Sequence, residues 1–211
     1  MYTLYYSPGT ASMAVHLALL EAGVPYRLEL VDFAKQGQND PAYLRLNPQG
    51  KVPTLVVDGR AYFESSALVM LLAERHPESR LAPPPGSTTR AAWYQWMVYL
   101  PTNLGGTYRY WFYPPDLGAP AHPAPVREAL RGHIEAQFGR LDGVLAAGGP
   151  YLLGDSFSGA DLMLLMYMRW SRNMPKPATE WPALARHAQL LRARSSWQRL
   201  CDAEGLTEWR G

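Results

Sequence analysis

The chain has a single cysteine, Cys201, among its 211 residues. One thiol cannot form a disulfide within the chain, and it excludes a cysteine-rich metal site. No apolar run approaches the ~20 residues that a membrane-spanning helix needs. The segment that follows Met1 has neither the basic stretch nor the apolar run of a signal peptide. These absences predict a cytoplasmic protein with no membrane partner.

The chain also lacks a large excess of either positive or negative charge. Twenty basic residues face eighteen acidic ones, the net charge is +2, and the arginines are scattered without a basic run. No nucleic-acid partner is therefore expected. Glycine-rich phosphate loops are absent, and the histidines lack paired ligand spacing, which predicts no metal site. The five histidines are His16, His76, His122, His133 and His187.

The first part of the chain alternates strands and helices. Strands are predicted at 3–6, 26–31, 54–57 and 60–63, with Asp58-Gly59 as a two-residue hairpin turn. Ser12 is the expected N-cap of a helix that ends at Gly23, and a second helix is expected from Ser65 to about His76. The order βαβ, a variable segment and then ββα predicts an α/β layer with a mixed sheet.

The second part of the chain predicts helices alone. A proline-rich linker at 78–87 separates a domain at 1–77 from an all-helical domain at 88–211. Pro101 should end or kink the first helix there, and the aromatic segment 108–125 is expected to be irregular. A long amphipathic helix is predicted at 126–147. Ser158 and Asp161 have the spacing of a capping box before an apolar run.

Two short motifs predict a pocket for a small acidic peptide. A cis bond at Val52-Pro53 would turn the Val52 N–H and C=O outward, where an extended peptide could pair as an added strand. A trans turn is the commoner alternative for an X-Pro pair. Glu64-Ser65 opens the next helix, whose free N–H groups are ready donors for a carboxylate.

These features together resemble the cytosolic glutathione transferase family, and its bacterial beta class most closely. The carriers are Asn47-Pro48-x-Gly50-x-Val52-Pro53, Glu64-Ser65 and Gly154-Asp155-x-Phe157-Ser158-x-Ala160-Asp161, with Tyr5-Tyr6-Ser7-Pro8-Gly9 as a beta-class opening. The resemblance covers nearly the whole chain. It implies a thioredoxin-like first domain, a helical second domain and a homodimer.

The resemblance also implies how glutathione would bind. Val52 would pair through its backbone with the cysteinyl part, and Pro53 would be the cis proline. Glu64 and Ser65 would hold the γ-glutamyl end, with Lys35 near the glycyl carboxylate. Cationic and helix-terminal donors suit carboxylates. The simpler interpretations are a helix cap for Ser65 and a solvated loop charge for Lys35.

One departure from the beta class affects the chemistry. Ala11 stands where its members usually carry a cysteine, so no mixed disulfide with glutathione can form there. A free thiol has a pKa of about 8.5, and lowering it requires hydrogen-bond donors or a helix N-terminus at the sulfur. We expect Ser12 first in this role, with Thr10 and the Tyr6 phenol behind it. Cys201 is expected to be a packing residue.

The helical part departs as well. Val98 and Gly105-Gly106 replace an asparagine and a His-Lys pair that beta-class members often carry, so those contacts are missing or replaced. Tyr108, Trp111 and Trp170 are predicted to line an apolar acceptor pocket. Plain core or a dimer contact are the alternatives for these aromatic residues.

The predicted function is conjugation of the glutathione thiolate to small electrophilic, apolar compounds, with glutathione as co-substrate and no metal. Two alternatives stay open. One is a non-catalytic protein that binds glutathione or apolar ligands. The other is a different glutathione-dependent enzyme on the same fold, such as an isomerase, a peroxidase or an ether-cleaving enzyme.

Overall fold

The amino-terminal part of the molecule is a four-stranded mixed sheet, seen here in a computed structural model that describes residues 1–210. The strands follow the order β2-β1-β3-β4; β1 pairs with β2 in parallel and with β3 antiparallel, and β3 pairs antiparallel with β4. Their bounds are β1 Tyr2–Tyr6, β2 Tyr26–Leu30, β3 Thr54–Val57 and β4 Arg60–Phe63.

The hairpin that joins β3 and β4 turns where the sequence predicts. Asp58 and Gly59 both have positive φ, 52° and 78°, as a two-residue turn of this kind requires. Three helices belong to this part: α1 Met13–Ala22, α2 Pro41–Leu44 and α3 Ser65–Arg75. Gly23 ends α1 with φ 65°, as predicted.

The second part is helical, and the prediction of an α/β part followed by an all-α part is confirmed. Its helices are α4 Arg90–Leu100, α5 Gly106–Phe112, α6 Ala124–Gly148, α7 Gly159–Trp170, α8 Pro182–Arg192 and α9 Ser195–Glu204. The predicted capping box opens α7. The Asp161 carboxylate accepts from the Ser158 N–H at 2.8 Å, and the Ser158 hydroxyl accepts from the Ala160 N–H at 3.3 Å.

Pro101 bends the chain into a π turn and does not end the helix. The proline has no N–H, so the Met97 carbonyl one turn earlier loses its usual donor. The Ser66 hydroxyl of α3 donates to that carbonyl instead. The Gly106 N–H then reaches back five residues to the Pro101 carbonyl, and α5 continues directly. The expectation of an irregular segment over 108–125 is therefore wrong for its first residues, because α5 runs to Phe112.

A continuous apolar core joins the two parts. Helix α1 is buried over Met13–Leu20 and packs against α3 on the sheet side and against α7 and α9 of the helical part. The predicted linker at 78–87 lies between α3 and α4. Cys201 is fully buried in α9. Among residues 1–210, no helix combines the length and apolarity that a bilayer crossing requires.

Candidate functional site

The Val52–Pro53 peptide bond is cis. Asn47, which is 2% exposed, donates from its side-chain amide to the Lys51 carbonyl at 2.8 Å and to the Thr54 hydroxyl at 3.2 Å, and this holds the turn in place. The Val52 N–H and C=O form no hydrogen bond with any of residues 1–210. The edge that the sequence predicts for pairing with a peptide is therefore unpaired.

The start of α3 adds free donors. Glu64 precedes the helix with φ 72° and ψ 106°, a conformation that non-glycine residues adopt rarely and mostly at functional sites. Its side chain does not cap the helix, so the N–H groups of the first turn have no acceptor among the described residues. Free N–H groups and the helix dipole together favour a bound carboxylate. The Ser65 hydroxyl is engaged elsewhere, because it donates to the Ala11 carbonyl at 2.9 Å.

The loop between β1 and α1 encloses Ser12 completely. Ser12 is 0% exposed, and its hydroxyl donates to the Ser7 carbonyl at 3.1 Å and accepts from the Ser7 N–H at 3.3 Å. Ser12 is the N-cap residue of α1, as predicted, and its carbonyl accepts from the His16 N–H at 2.9 Å, but its hydroxyl makes no capping hydrogen bond. A hydroxyl in this position shapes the loop, and its proton is directed away from the open cleft.

Thr10 and Tyr6 lie nearer the surface than Ser12. The Thr10 hydroxyl donates to the Ser7 carbonyl at 2.7 Å and lies 3.1 Å from the Ser12 oxygen. Burial, with a smaller effect of the nearby Glu204 carboxylate, raises the pKa of the Tyr6 phenol above its usual value. Tyr6 is therefore protonated at neutral pH and acts as a donor, not as a base.

Two side chains of the helical part bond to Gly9, and a third lies close to it. Its N–H donates to Glu204 Oε2 at 2.9 Å, and its carbonyl accepts from the Trp170 indole at 3.1 Å. A Cβ at this position would lie 2.9 Å from the Arg169 guanidinium, and φ is 71°, so only glycine fits without strain. The sequence analysis missed this clasp, because its partners come from α7 and α9.

The same carboxylate anchors α1. Glu204 Oε1 lies 2.8 Å from His16 Nδ1, and both side chains are fully buried. The other imidazole nitrogen lies 3.0 Å from the Tyr26 hydroxyl on β2. A buried histidine paired in this way has a structural role and is not free to bind a metal. Between residues 1 and 210 no group of three or more potential metal ligands occurs.

The predicted acceptor residues divide into two groups. Tyr108 and Trp170 belong to one aromatic cluster, with ring centroids 5.5 Å apart and edge to face. Phe112, from the same aromatic run of the sequence, stacks on Tyr108 with ring centroids 5.6 Å apart and is 47% exposed. Trp111 lies apart, beneath the Arg127 guanidinium of α6 at 3.9 Å from its ring.

Two further positions complete the description. Lys35 is 85% exposed at its side chain and pairs with Asp32 at 3.1 Å. A surface hollow of about 640 Å³ lies between α5 and α6 and contains none of the predicted site residues. It is lined by Thr102, Gly106, Thr107, Tyr110, Pro125, Val126, Ala129, Leu130 and His133.

Family models match both parts of the chain. The model described as "Glutathione S-transferase, N-terminal domain" matches residues 10–75, and the one described as "Glutathione S-transferase, C-terminal domain" matches residues 124–190. The first match contains the cis proline turn and the start of α3. The second contains the capping box and all of α7.

Individual relatives agree with these matches. Glutathione S-transferase GST-4.5 of Xanthomonas campestris pv. campestris is 31% identical, over 96% of this chain and 98% of its own. Disulfide-bond oxidoreductase YfcG of Escherichia coli K12 is 31% identical, over 92% and 91%. The crystal structure of a glutathione transferase homologue from Sulfitobacter with bound glutathione has a TM-score of 0.86 at 29% identity, over 96% and 98%.

Proposed function

The chain belongs to the cytosolic glutathione S-transferase family, and from this premise we propose that it joins the glutathione thiolate to small, apolar electrophiles. The observation that carries the proposal is the open main-chain edge at Val52 beside the free N–H groups of α3. The family and the enzyme class agree with the resemblance. The acceptor and the residue roles below are part of the proposal.

Glutathione would lie across the cleft as an extended peptide. The Val52 N–H and C=O would pair with the cysteinyl residue around the cis Pro53 bond. The backbone N–H of Ser65 and the start of α3 would hold the γ-glutamyl carboxylate, next to Glu64. Lys35, exposed and paired only with Asp32, would turn to the glycyl carboxylate.

This placement sets the sulfur near the amino end of α1. The Ser65 hydroxyl bonds to the Ala11 carbonyl, so the starts of α1 and α3 are neighbours. The positive end of α1 and the hydroxyls of Thr10 and Tyr6 would favour the thiolate there. Ser12, ranked first from the sequence, would act indirectly by shaping the loop from its buried position.

The reaction is then a nucleophilic attack by sulfur. The thiol loses its proton to solvent, and the thiolate forms a C–S bond with the electrophilic carbon. Where the acceptor carries a leaving group, that group departs with the electron pair of its bond. The exposed ring of Phe112, together with Tyr108 and Trp170, would form the apolar wall for the acceptor. Trp111 faces α6 and would support this wall from behind.

A homodimer is part of the proposal. The edge strand β4 and helix α4 leave large apolar side chains in solvent, which favours a protein partner. Tyr62 and Phe63 are 41% and 40% exposed, and Tyr94 and Val98 are 40% and 61% exposed. A cytoplasmic location and a role in detoxification follow from the family resemblance and belong to the proposal as well.

The test is a titration of the thiolate absorbance of bound glutathione, combined with turnover of 1-chloro-2,4-dinitrobenzene. We expect the thiol pKa to fall by about two units below its free value of about 8.5. Turnover should follow the fraction of thiolate. A bound thiol with an unchanged pKa, or no binding at all, would contradict the proposal.

Disulfide reduction is the second candidate, suggested by the name of the Escherichia coli relative. No cysteine stands in the first domain, so a protein thiol cannot exchange with glutathione at this site. A bound glutathione thiolate could still attack a small disulfide directly. Turnover of 2-hydroxyethyl disulfide with glutathione, without turnover of the aromatic chloride, would favour this candidate.

A further inference from the structure

Tyr167 occupies a defined place in the aromatic cluster of the helical part. Its residue is 4% exposed, and its ring lies parallel to Tyr108 with centroids 6.2 Å apart. The ring also meets the edge of Trp170 at 5.2 Å. Trp170 in turn is fixed to the carbonyl of Gly9 in the loop before α1. The Tyr167 ring therefore packs in a cluster that is bonded, through Trp170, to the loop before α1.

The hydroxyl of Tyr167 fills the space that a side chain at position 105 would take. A Cβ on Gly105 would lie only 2.7 Å from the phenolic oxygen. Gly105 has helical dihedral angles, so backbone conformation does not require glycine here. The absence of a side chain at 105 is what makes room for the hydroxyl.

This hydroxyl has no hydrogen-bond partner among residues 1–210. Buried phenols normally find a partner, and Tyr108 beside it contacts the sulfur of Met174 at 3.8 Å. The Tyr167 residue is 4% exposed, and its oxygen is not completely sealed from solvent. The ring is buried, and its hydroxyl has no partner among the described residues. A hydroxyl in these surroundings is suited to contact a ligand.

Burial also controls the ionisation of the Tyr167 phenol. Burial, with a smaller effect of the Glu64 carboxylate, raises the pKa of the Tyr167 phenol far above its usual value. The phenol keeps its proton at any physiological pH and can donate it in a hydrogen bond. The Ser66 hydroxyl of α3 donates to the Met97 carbonyl of α4, so the start of α3 lies beside the end of α4, from which the turn to Gly105 continues.

We propose that the Tyr167 hydroxyl is a catalytic hydrogen-bond donor that reaches the sulfur of bound glutathione from the helical part. The inference rests on the proposed transferase function. The carboxylates of glutathione are matched by α3 and Lys35, whereas the hydroxyls of Ser12 and Thr10 already donate to Ser7. The positive end of α1 and the Tyr6 phenol would act on the thiolate too, and Thr10 would have to release the Ser7 carbonyl to do so, so a free donor from the helical part adds to them.

The phenol acts without transferring its proton. It holds the sulfur anion in a site of low dielectric, where a hydrogen bond to a charge is strong. The thiol proton leaves to solvent, and the sulfur electron pair forms the new C–S bond. As the negative charge leaves the sulfur, the bond weakens, so the donor acts mainly on the ionisation of the thiol.

The test compares Tyr167→Phe with the unchanged protein. Removing the hydroxyl should raise the pKa of the bound thiol by about one unit, which equals about 1.4 kcal/mol. At a pH below the pKa of the bound thiol in the unchanged protein, kcat of the variant should be about ten-fold lower, while KM for glutathione stays within about two-fold. Tyr2→Phe is the matched control, because it removes a buried hydroxyl that bonds to His76 at 2.8 Å, on another face. It should leave the thiol pKa unchanged.

Gly105→Ala gives an independent test. In the unchanged protein the new methyl group would force the hydroxyl away, so the thiol pKa should rise as in Tyr167→Phe. In the Tyr167→Phe background the nearest ring carbon would lie at 3.4 Å, an ordinary contact, so the added methyl should have little effect. The two substitutions together should therefore cost no more than either alone.

The outcomes separate the two proposals. If the unchanged protein ionises bound glutathione and Tyr167→Phe does so equally, the role of Tyr167 is wrong and the transferase function stands. The role of Tyr167 is equally wrong if Tyr167→Phe lowers thermal stability or raises KM without moving the thiol pKa. If the unchanged protein binds glutathione and leaves its thiol pKa at the free value, both proposals fall.

Discussion

Glu204 Oε2 accepts a hydrogen bond from the backbone N–H of Gly9 at 2.9 Å. The last helix of the molecule thus holds the loop that begins the first helix. The second oxygen of the same carboxylate faces His16 of α1 at 2.8 Å. One buried side chain therefore connects the loop, the helix behind it and the helical part.

Glu204→Gln should lower the free energy of unfolding by about 1–3 kcal/mol. An amide is uncharged and has one acceptor oxygen where the carboxylate has two, so it cannot accept from both Gly9 and His16, and its bonds to them are weaker. Urea denaturation measures the change, and Glu208→Gln is the control because its partner Arg172 lies at the surface. The control should change little. Equal stability of Glu204→Gln and the unchanged protein would show that the clasp contributes nothing.

Glu21 should make stability depend on pH. Burial alone would raise its pKa, but hydrogen bonds from Arg194 and Ser196 outweigh burial and lower the pKa below its usual value. A carboxyl group whose pKa is lower in the folded protein stabilises the fold at pH values above its pKa in the unfolded chain, which is about 4.3. This contribution is lost as the pH falls through the lower pKa of the folded protein.

The measurement is urea denaturation of Glu21→Gln and of the unchanged protein across a series of pH values. The difference in unfolding free energy should be constant near neutral pH and should shrink below about pH 4. A difference that stays the same in acid would mean that the ion pair between Glu21 and Arg194 has no net effect.

Two substitutions of Ser65 should separate its hydroxyl from its backbone N–H. Ser65→Ala keeps the N–H and loses only the bond to the Ala11 carbonyl, so glutathione should bind about five-fold more weakly. Ser65→Pro suits the first position of a helix but removes the N–H. Its affinity should fall by a further factor of about ten, because the bond to a carboxylate is charge-assisted.

Isothermal titration with glutathione gives both dissociation constants. Circular dichroism should be the same for the two variants, since α3 is retained in each. Equal affinities for Ser65→Ala and Ser65→Pro would argue against the backbone N–H as a ligand for the γ-glutamyl carboxylate.

Val98→Glu should disrupt the proposed homodimer. Val98 is 61% exposed on α4, so a carboxylate is harmless in a monomer and costly in an apolar contact between two copies. Light scattering after size exclusion should show the mass fall from two chains to one. Val144→Glu, on the exposed side of α6, is the control and should leave the mass unchanged. A dimer that survives Val98→Glu would place the interface elsewhere.

Local patterns in the sequence predict most of the fold. The hairpin at Asp58-Gly59, the end of α1 at Gly23 and the capping box at Ser158 each depend on a few neighbouring residues, and all are confirmed. The continuation of the helix beyond Pro101 could not be predicted. It depends on a hydroxyl from Ser66, which lies 31 residues from the carbonyl that it satisfies.

The site residues also divide into those that short motifs predict and those that contacts between distant parts of the chain determine. The cis bond at Val52 and the free start of α3 come from short motifs and were expected. The burial of Ser12 and the clasp on Gly9 could not be read from the opening motif, because Glu204 is 195 residues away. A glycine at 105 and a tyrosine within the apolar run of α7 were the one available signal for Tyr167.

The π turn at Pro101–Gly105 determines the rotation of helix α5 about its axis, and so the direction of each side chain on α5. One additional residue in a turn rotates the following helix by about 100°. With this rotation, Tyr108 meets Tyr167 of α7 while Trp111 lies under Arg127 of α6. Deletion of a single residue from the turn would rotate α5 and place each ring against a different neighbour. The turn at Pro101 therefore determines which aromatic side chains of α5 border the cleft.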